Sequence, residues 1–354
     1  FVTPWNIREA AIFALERGKT YYTSNLGMIE LRRAISTYVT AHFGVDYRPE
    51  DQVIVTVGVS EALDIALRAL INPGDEVIYH EPCYVSYSPS IAMAHGIPVA
   101  VSCKAEDNFA VRAEAIEKAI TPKTKLVMFN SPNNPSGTIY TEAEYRALGK
   151  VLEKYPDIYI LSDEIYEHIN YGSKSISFAS LPGMYERTVT VNGISKAFAM
   201  TGWRIGYLAA PKILAKACNK MQGQITSGAN CIAQRAAITA LEESPERIKY
   251  MVDEFKIRRD LIIDLVNQVN GFKVKQPPEG AFYIFPEVSE LFGKTFKGQT
   301  VNNANDLSLL ILEKAYVATV PGDAFGYPNC IRISYSASRE QIEEAIRRIK
   351  DLLS

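Results

Sequence analysis

Residues 191–207 read VNGISKAFAMTGWRIGY and lie between two apolar segments, residues 188–191 and 205–209, that predict strands. The stretch carries one amine, that of Lys196, beside the hydroxyl of Ser195. A lysine in such a loop is usually a solvated surface charge. In a cleft, however, burial and cationic neighbours lower the pKa of the ammonium and leave a nucleophilic amine. Whether Lys196 is a surface charge or a nucleophile therefore depends on where the surrounding strands place this loop.

Arg204 follows Lys196 by eight positions. Its planar guanidinium stays charged and binds phosphate through two parallel hydrogen bonds. An amine that condenses with an aldehyde, next to a group that binds phosphate, indicates pyridoxal 5′-phosphate (PLP) as cofactor. A dinucleotide is not indicated, because residues 202–206 lack the strand and helix that surround a dinucleotide-binding glycine motif.

The bulk properties of the chain are those of an ordinary globular protein. Its 354 residues favour two domains, and the net charge of −2 with a pI near 6.2 gives no electrostatic reason to expect nucleic acid or an anionic membrane as partner. No apolar run approaches the roughly 20 residues of a membrane span. The four histidines are scattered, so we expect no metal site. Five widely spaced cysteines predict free thiols and a cytoplasmic location: Cys83, Cys103, Cys218, Cys231 and Cys330.

Upstream of the lysine loop, strand-like runs alternate with amphipathic helical runs. Strands are predicted at residues 53–57, 75–79, 98–102, 125–130 and 158–162, and helices at residues 60–70, 84–95, 112–120 and 142–152. This alternation predicts an α/β fold with a mostly parallel sheet between two layers of helices. In such sheets ligands bind beyond the carboxyl ends of the strands.

From about residue 242 the pattern changes to that of a smaller α+β unit. Helices are predicted at residues 245–270, 306–315 and 340–352, and strands at residues 280–286, 317–320 and 330–335. Residues 294–305 are polar and predict a mobile loop. We therefore predict a large cofactor-binding domain at residues 1–245 and a small domain at residues 246–354, whose N-terminal portion is expected to precede Phe1.

Three predicted strands are followed by polar residues with more than one interpretation. Ser60 is either the N-cap of a helix or a ligand for an anion at the helix N-terminus. Asn134 lies in a turn-forming loop, where its amide either shapes the turn or faces a ligand. Asp163 either caps the next helix or pairs with a pyridinium nitrogen, and Tyr166 can bond the ring oxygen of the same cofactor. One ligand at the strand ends would contact all of them.

The chain resembles the class I/II, fold-type I PLP-dependent aminotransferases along essentially its whole length. The AMTGWRIG part of the lysine motif is similar to that of prokaryotic aspartate and aromatic aminotransferases. The motifs that carry the resemblance are SPNNPSG (131–137), SDEIYEH (162–168), VNGISKAFAMTGWRIGY (191–207), EGAFYIFP (279–286), VPGDAF (320–325) and RISYSAS (332–338).

The resemblance implies a role for each matching residue. Lys196 would bond the cofactor aldehyde and then move protons, with Asp163 on the ring nitrogen and Tyr166 on the ring oxygen as the other catalytic residues. Tyr84 would stack on the ring, and Tyr22 would reach the phosphate of the neighbouring subunit, so that a homodimer shares its sites. The implied cofactor-binding residues are Gly58, Val59, Ser60, Tyr84, Asn134, Asp163, Tyr166, Ser195, Lys196, Arg204 and Tyr22.

Asn134 and Arg332 are implied to bind the substrate. An arginine in an apolar strand needs a partner, which is either a structural ion pair or the α-carboxylate of a substrate. Three positions differ from the pattern of many relatives: Gly193 replaces a Ser or Thr, Tyr84 a tryptophan, and Tyr21 a lysine of some aspartate enzymes. The choice between acidic and aromatic substrates therefore stays open.

The resemblance implies an aminotransferase that transfers the amino group of aspartate or an aromatic amino acid to 2-oxoglutarate with ping-pong kinetics. Two other functions remain as alternatives. One is different chemistry on the same cofactor, such as β-elimination or racemisation. The other is a ligand-sensing domain of a transcription regulator, which would need a DNA-binding domain ahead of Phe1.

Overall fold

The computed structural model describes residues 1–243 and 246–354. Its centre is a seven-stranded sheet with the order β1-β7-β6-β5-β4-β2-β3. Strand β7 runs antiparallel to both of its neighbours, and all other pairs are parallel. The strands are β1 (Val53–Thr56), β2 (Glu76–Glu81), β3 (Ile97–Ser102), β4 (Thr124–Asn130), β5 (Tyr159–Asp163), β6 (Thr188–Gly193) and β7 (Gly206–Ala209).

Within the described residues, eight α-helices accompany this sheet. They are α1 (Trp5–Glu16), α2 (Ile29–Phe43), α3 (Gly58–Leu70), α4 (Tyr87–Met93), α5 (Ala113–Ala119), α6 (Glu142–Glu153), α7 (Lys212–Ile225) and α8 (Cys231–Glu242). Along β4, Leu126 and Met128 pack with α3, α4 and α7, whereas Val127 and Phe129 pack with α5 and α6. Alternate side chains point to opposite faces of a strand, so helices cover both faces. The predicted three-layer α/β/α architecture with a mostly parallel sheet is confirmed.

The C-terminal unit, residues 246–354, has its own helices and strands. They are α9 (Glu246–Val266), β8 (Tyr283–Ile284), β9 (Lys294–Phe296), β10 (Gln299–Val301), α10 (Ala304–Leu310), a π-helical turn (Ile311–Ala315), β11 (Val320–Pro321), β12 (Ile331–Ser334) and α11 (Arg339–Leu352). Strand β12 lies between β11 and β8 in a three-stranded antiparallel sheet. The hydrophobic core of this unit includes Ile165, Tyr166 and Ile169, so the unit packs directly against the segment that follows β5.

Several predicted elements need correction. The predicted mobile loop at residues 294–305 is wrong, because β9 and β10 form an antiparallel hairpin there. Its two-residue turn, Lys297 and Gly298, has φ of 49° and 81°, as a tight hairpin turn requires. The strand predicted at residues 280–286 is only Tyr283–Ile284, and that at residues 317–320 is shifted to Val320–Pro321.

The helix boundaries also differ. The helix predicted from residue 84 begins at Tyr87, and the helix predicted at residues 245–270 is Glu246–Val266, with residue 245 outside the described residues. Helices α1, α2, α7 and α8 lie outside the predicted elements. No helix within the described ranges is long and apolar enough to cross a membrane.

Candidate active site

The carboxyl ends of β4, β5 and β6 face the N-terminus of α3 across a cavity of about 320 Å³. The C-terminal unit closes its other side with Tyr283 and Arg332. Of the predicted site residues, ten line this cavity: Val59, Ser60, Tyr84, Asn134, Asp163, Tyr166, Ser195, Lys196, Arg204 and Arg332. Gly58 and Tyr22 are not among the lining residues.

Lys196 lies three residues beyond β6 with its amine in the cavity, so the interpretation as a solvated surface lysine is wrong. Its Nζ is 5.7 Å from the centre of the Tyr166 ring. Burial lowers the pKa of the ammonium, and the charges of Arg204 and Arg332 lower it further. Asp163 has the opposite, smaller effect. The neutral, nucleophilic amine is therefore more populated here than on a free lysine.

Asp163 is the last residue of β5 and is buried. Its Oδ2 accepts a hydrogen bond of 2.7 Å from the Tyr87 hydroxyl, and its Oδ1 accepts one of 3.2 Å from the backbone N–H of Ile165. The residues that follow form turns, so Asp163 caps no helix. Burial is the main cause that raises its pKa to about 6. Such a carboxylate is stabilised by a cationic group placed opposite it in the cavity.

An anion site lies where the N-terminus of α3 meets Arg204. Gly58 has φ of +71°, and a side chain there would overlap the Arg204 guanidinium. A Cβ on Gly206 would lie 2.6 Å from the backbone nitrogen of Val59, so glycine is needed for this approach as well. The N-cap of α3 is Val57, which makes the N-cap interpretation of Ser60 wrong. The free N–H groups of the first helical turn and the guanidinium together favour a phosphate.

Arg332 lies in β12 and reaches the loop that follows β4. Its Nη1 donates a hydrogen bond of 2.9 Å to Oδ1 of Asn134, and its guanidinium stacks 4.4 Å from the centre of the Tyr283 ring. Within the described residues it forms no ion pair, and its Nε is buried without an acceptor. A structural ion pair therefore does not explain this arginine. Its unused donors fit a carboxylate that enters the cavity.

The donor set as a whole fits PLP. A buried carboxylate, a tyrosine, a lysine whose amine has a lowered pKa and an anion site all line one cavity. These groups complement the ring nitrogen, the ring oxygen, the aldehyde and the phosphate, respectively. The unused Nε of Arg332 leaves a further donor for a substrate carboxylate.

A family model described as aminotransferase class I and II matches residues 3–349. The chain belongs to this family. It is a PLP-dependent amino-acid aminotransferase, and the fold and the cofactor are those expected from the sequence motifs.

Individual class I and II aminotransferases match over nearly the whole chain. The chain is 47% identical to a protein of Rhizobium leguminosarum bv. phaseoli named "probable aspartate/prephenate aminotransferase", over 99% of this chain and 88% of that protein. The solved aspartate aminotransferase of Rhizobium meliloti has a TM-score of 0.96 and 41% identity, over 100% of this chain and 90% of that one. The solved aromatic aminotransferase of Pyrococcus horikoshii has a TM-score of 0.94 and 36% identity, over 100% of this chain and 93% of that one.

Among the residues at this aminotransferase site that the sequence does not predict, Tyr87, Asn130 and Tyr283 hydrogen-bond predicted ones. Tyr87 donates to Asp163, and the Asn130 side chain accepts a hydrogen bond of 3.0 Å from the backbone N–H of Asn134. Tyr283 hydrogen-bonds Tyr166 at 2.9 Å. Weak signals for two of them exist in the sequence. Tyr87 lies three positions after Tyr84, and Tyr283 belongs to the EGAFYIFP motif.

The anion site at the N-terminus of α3 is open in a single chain. Ser60 and Arg204 are exposed there, although both line the cavity. Tyr22 is 96% exposed and is not part of its own chain's cavity. Other large apolar side chains near the N-terminus are exposed as well, namely Trp5, Phe13, Leu15 and Tyr21. A single chain thus leaves both an anion site and an apolar surface uncovered.

Proposed function

We propose that this aminotransferase takes the amino group from aspartate or an aromatic amino acid and passes it to 2-oxoglutarate with ping-pong kinetics. The observation that carries this proposal is that Lys196, Asp163 and Arg332 open on one cavity beside the anion site. The printed names of the relatives include both aspartate and aromatic enzymes, which supports these two donor classes.

When bound, PLP supplies an aldehyde carbon that links to amines and a ring that withdraws electrons from the substrate Cα. Lys196 would hold the cofactor through its aldehyde, and its free amine would move the proton at the substrate Cα. A free base is needed for this proton transfer. Burial and the two arginines favour the neutral amine by lowering the pKa of Lys196.

Asp163 would pair with the ring nitrogen of the cofactor, and its negative charge would keep a proton on that nitrogen. Tyr87 and the Ile165 N–H fix the carboxylate in this position. Tyr166 and Asn134 would bind the ring oxygen, and Tyr84 would pack on the ring. The phosphate would be held by Val59, Ser60, Ser195 and Arg204, with Gly58 leaving room for the guanidinium.

Arg332 binds the α-carboxylate of the substrate by a two-point fork, and Asn134 orients it. This contact also affects the pKa of Lys196, the base in the proposed proton transfer. The charge of Arg332 is one cause of the lowered pKa of Lys196, and a bound carboxylate neutralises that charge. Substrate binding is therefore expected to make the Lys196 amine a stronger base just before it accepts the proton.

A homodimer with shared sites completes this proposal. Tyr22 of each subunit reaches the open anion site of the other, which its exposure permits. We also propose that residues 1–245 form the cofactor-binding domain, that residues 246–354 belong to a small domain and that the protein is cytoplasmic. The free cysteines support the last point, since none of the five is in a disulfide.

The decisive experiment traps the covalent link between protein and cofactor. The protein is reconstituted with PLP, reduced with borohydride and digested, and the modified peptide is identified by mass spectrometry. Lys196 should carry the label, whereas the exposed Lys212 should not. Lys196→Ala should bind PLP without a reducible link and should not turn over. Full activity in Lys196→Ala, or label on other lysines only, would contradict the proposal.

A panel of donors with 2-oxoglutarate then tests the reaction. Glutamate should form at the same rate as the donor's oxo acid, and double-reciprocal plots at several acceptor concentrations should be parallel. Ammonia release without glutamate would instead show β-elimination, and loss of optical activity without oxo acid would show racemisation. Glutamate formation with tyrosine but not with aspartate would identify aromatic amino acids as the donor class.

A further inference from the structure

Two buried tyrosines form a hydrogen bond between the two parts of the chain. The hydroxyl oxygens of Tyr166 and Tyr283 are 2.9 Å apart, and the residues are only 4% and 6% exposed. Tyr166 follows β5 in the central sheet, and Tyr283 lies in β8 of the C-terminal unit. Both line the cavity. The bond thus joins the segment that follows β5 to the C-terminal unit, which carries Arg332.

The direction of this bond determines where the Tyr166 proton points. Each phenol has one proton to donate and can accept further hydrogen bonds. Among the described residues, Tyr283 is the only hydrogen-bond partner of the Tyr166 hydroxyl. If Tyr283 donates, the Tyr166 proton is free to point into the cavity. If Tyr166 donates, its proton is spent on Tyr283.

The surroundings of Tyr283 favour it as the donor. The Arg332 guanidinium lies 4.4 Å from the centre of its ring, and this positive charge strengthens the phenol as a hydrogen-bond donor. Residue 283 pairs with Ser334 of β12, the strand that carries Arg332, so the two side chains keep this arrangement. A negatively charged ring oxygen in the cavity would in turn attract the proton of Tyr166.

We propose that Tyr283 is a positioning residue, whose O–H donates to the Tyr166 oxygen and so directs the Tyr166 proton at the ring oxygen of the cofactor. The inference rests on the proposed role of Tyr166. Two hydrogen bonds in series polarise each other, so Tyr166 becomes a stronger donor than it would be alone. The substrate-binding strand thereby influences how tightly the ring oxygen is held.

The test is a pH titration of the cofactor absorbance in the holoenzyme. Tyr283→Phe keeps the ring beneath Arg332 and removes only the hydroxyl. The ring oxygen then receives a weaker hydrogen bond and becomes more basic, so the absorbance midpoint should rise by about half a unit to one unit. Tyr166→Phe should shift it further in the same direction. The double variant should equal Tyr166→Phe, because Tyr283 acts only through Tyr166.

The chain offers a control in a second tyrosine pair, of which Tyr335 is buried and Tyr171 half-buried. Tyr171 and Tyr335 have hydroxyls 3.1 Å apart, but neither lines the cavity. Tyr335→Phe should leave the midpoint unchanged, although it also removes a buried hydroxyl. As a second measurement, the acidic limb of the kcat/KM profile of Tyr283→Phe should move with its absorbance midpoint.

The outcomes separate this inference from the proposed function. An unchanged midpoint in Tyr166→Phe would overturn the proposed role of Tyr166 and the inference with it. A shift in Tyr166→Phe with none in Tyr283→Phe would overturn the inference alone. Shifts that add in the double variant, or an equal shift in Tyr335→Phe, would also overturn it.

Discussion

The Tyr87 hydroxyl donates a hydrogen bond of 2.7 Å to Oδ2 of Asp163, a residue 76 positions away in the chain. Tyr87 is the first residue of α4, and Asp163 is the last of β5. The bond favours the ionised carboxylate and so opposes the effect of burial, which raises the pKa of Asp163 to about 6. The charge that the ring nitrogen requires thus depends on a residue from another element.

Tyr87→Phe should therefore destabilise the cofactor-free protein in a pH-dependent way. At pH 8 Asp163 is ionised, and loss of the bond should lower the free energy of unfolding by about 1–3 kcal/mol. At pH 5 the carboxyl is protonated in the folded state, so the loss should be smaller. Urea unfolding of both proteins at pH 5 and pH 8 measures this difference in the free energy of unfolding. Tyr140→Phe is the control, because Tyr140 accepts from the backbone N–H of Val111 and its loss should not vary with pH.

Gly58→Ala should weaken PLP binding by displacing Arg204. The added Cβ overlaps the guanidinium, and loss of a charge-assisted phosphate contact corresponds to a roughly 10- to 100-fold higher Kd for PLP. Gly44→Ala is a matched control, since Gly44 has a similar φ of +67° with open space around it. Both variants should lose about 1 kcal/mol of stability to backbone strain. Equal PLP affinities in the two variants would refute the steric explanation.

Arg332→Lys should raise the KM for the amino acid by roughly 10- to 100-fold, because an ammonium cannot form the two-point fork. The KM for the oxo acid should rise similarly, since both substrates present a carboxylate to one site. Steady-state kinetics at saturating PLP measures both values. Arg339→Lys is the control, because Arg339 forms an exposed pair with Glu254 at the start of α11. Unchanged KM values in Arg332→Lys would exclude this carboxylate site.

Glu164→Gln should stabilise the protein increasingly as the pH rises from about 5 to 8. Glu164 is buried, and burial raises its pKa to about 8, so it holds a proton in the folded state that the unfolded chain releases near 4.5. Stability is therefore lost with rising pH in this window. Glutamine keeps an acceptor for Ser162 and Ser177 without this loss. The gain in unfolding free energy should reach on the order of 2–4 kcal/mol at pH 8. A pH-independent difference would contradict the raised pKa.

Subunit mixing tests whether Tyr22 acts across a dimer. Tyr22→Ala and Lys196→Ala should each have low activity. In a mixed dimer one site regains both native residues, so random exchange should restore roughly a quarter of the native sites. Activity after mixing and after dilution measures this recovery. No recovery, despite mixed dimers seen by mass spectrometry, would place Tyr22 outside the shared site.

The residues that sequence predicts well are those at strand ends. Asp163 ends one apolar strand, Asn134 and Lys196 follow two others, and parallel strands bring their carboxyl ends to one edge. It was therefore predictable from the sequence alone that these three side chains lie close together. The hairpin of β9 and β10 was not predictable, because its turn, Lys297 and Gly298, lacks the usual Asn-Gly signal and its strands are short and mostly exposed.

The sequence also does not predict the residues that act through other side chains. Tyr283 and Tyr166 are 117 positions apart, and nothing in the periodicity of either segment predicts that their hydroxyls meet. The same holds for the Arg204 guanidinium over Gly58, which depends on the close approach of β7 to the start of α3.

By itself the sequence determined the layered α/β fold and the chemical groups at the strand ends, because apolar periodicity and strand-end position are local properties. Only the tertiary structure decided that Lys196 has a lowered pKa, that Asp163 is held by Tyr87, and that Arg332 lacks an ionic partner among the described residues. Burial, charge proximity and hydrogen-bond geometry depend on distances between segments far apart in the chain, and packing sets those distances.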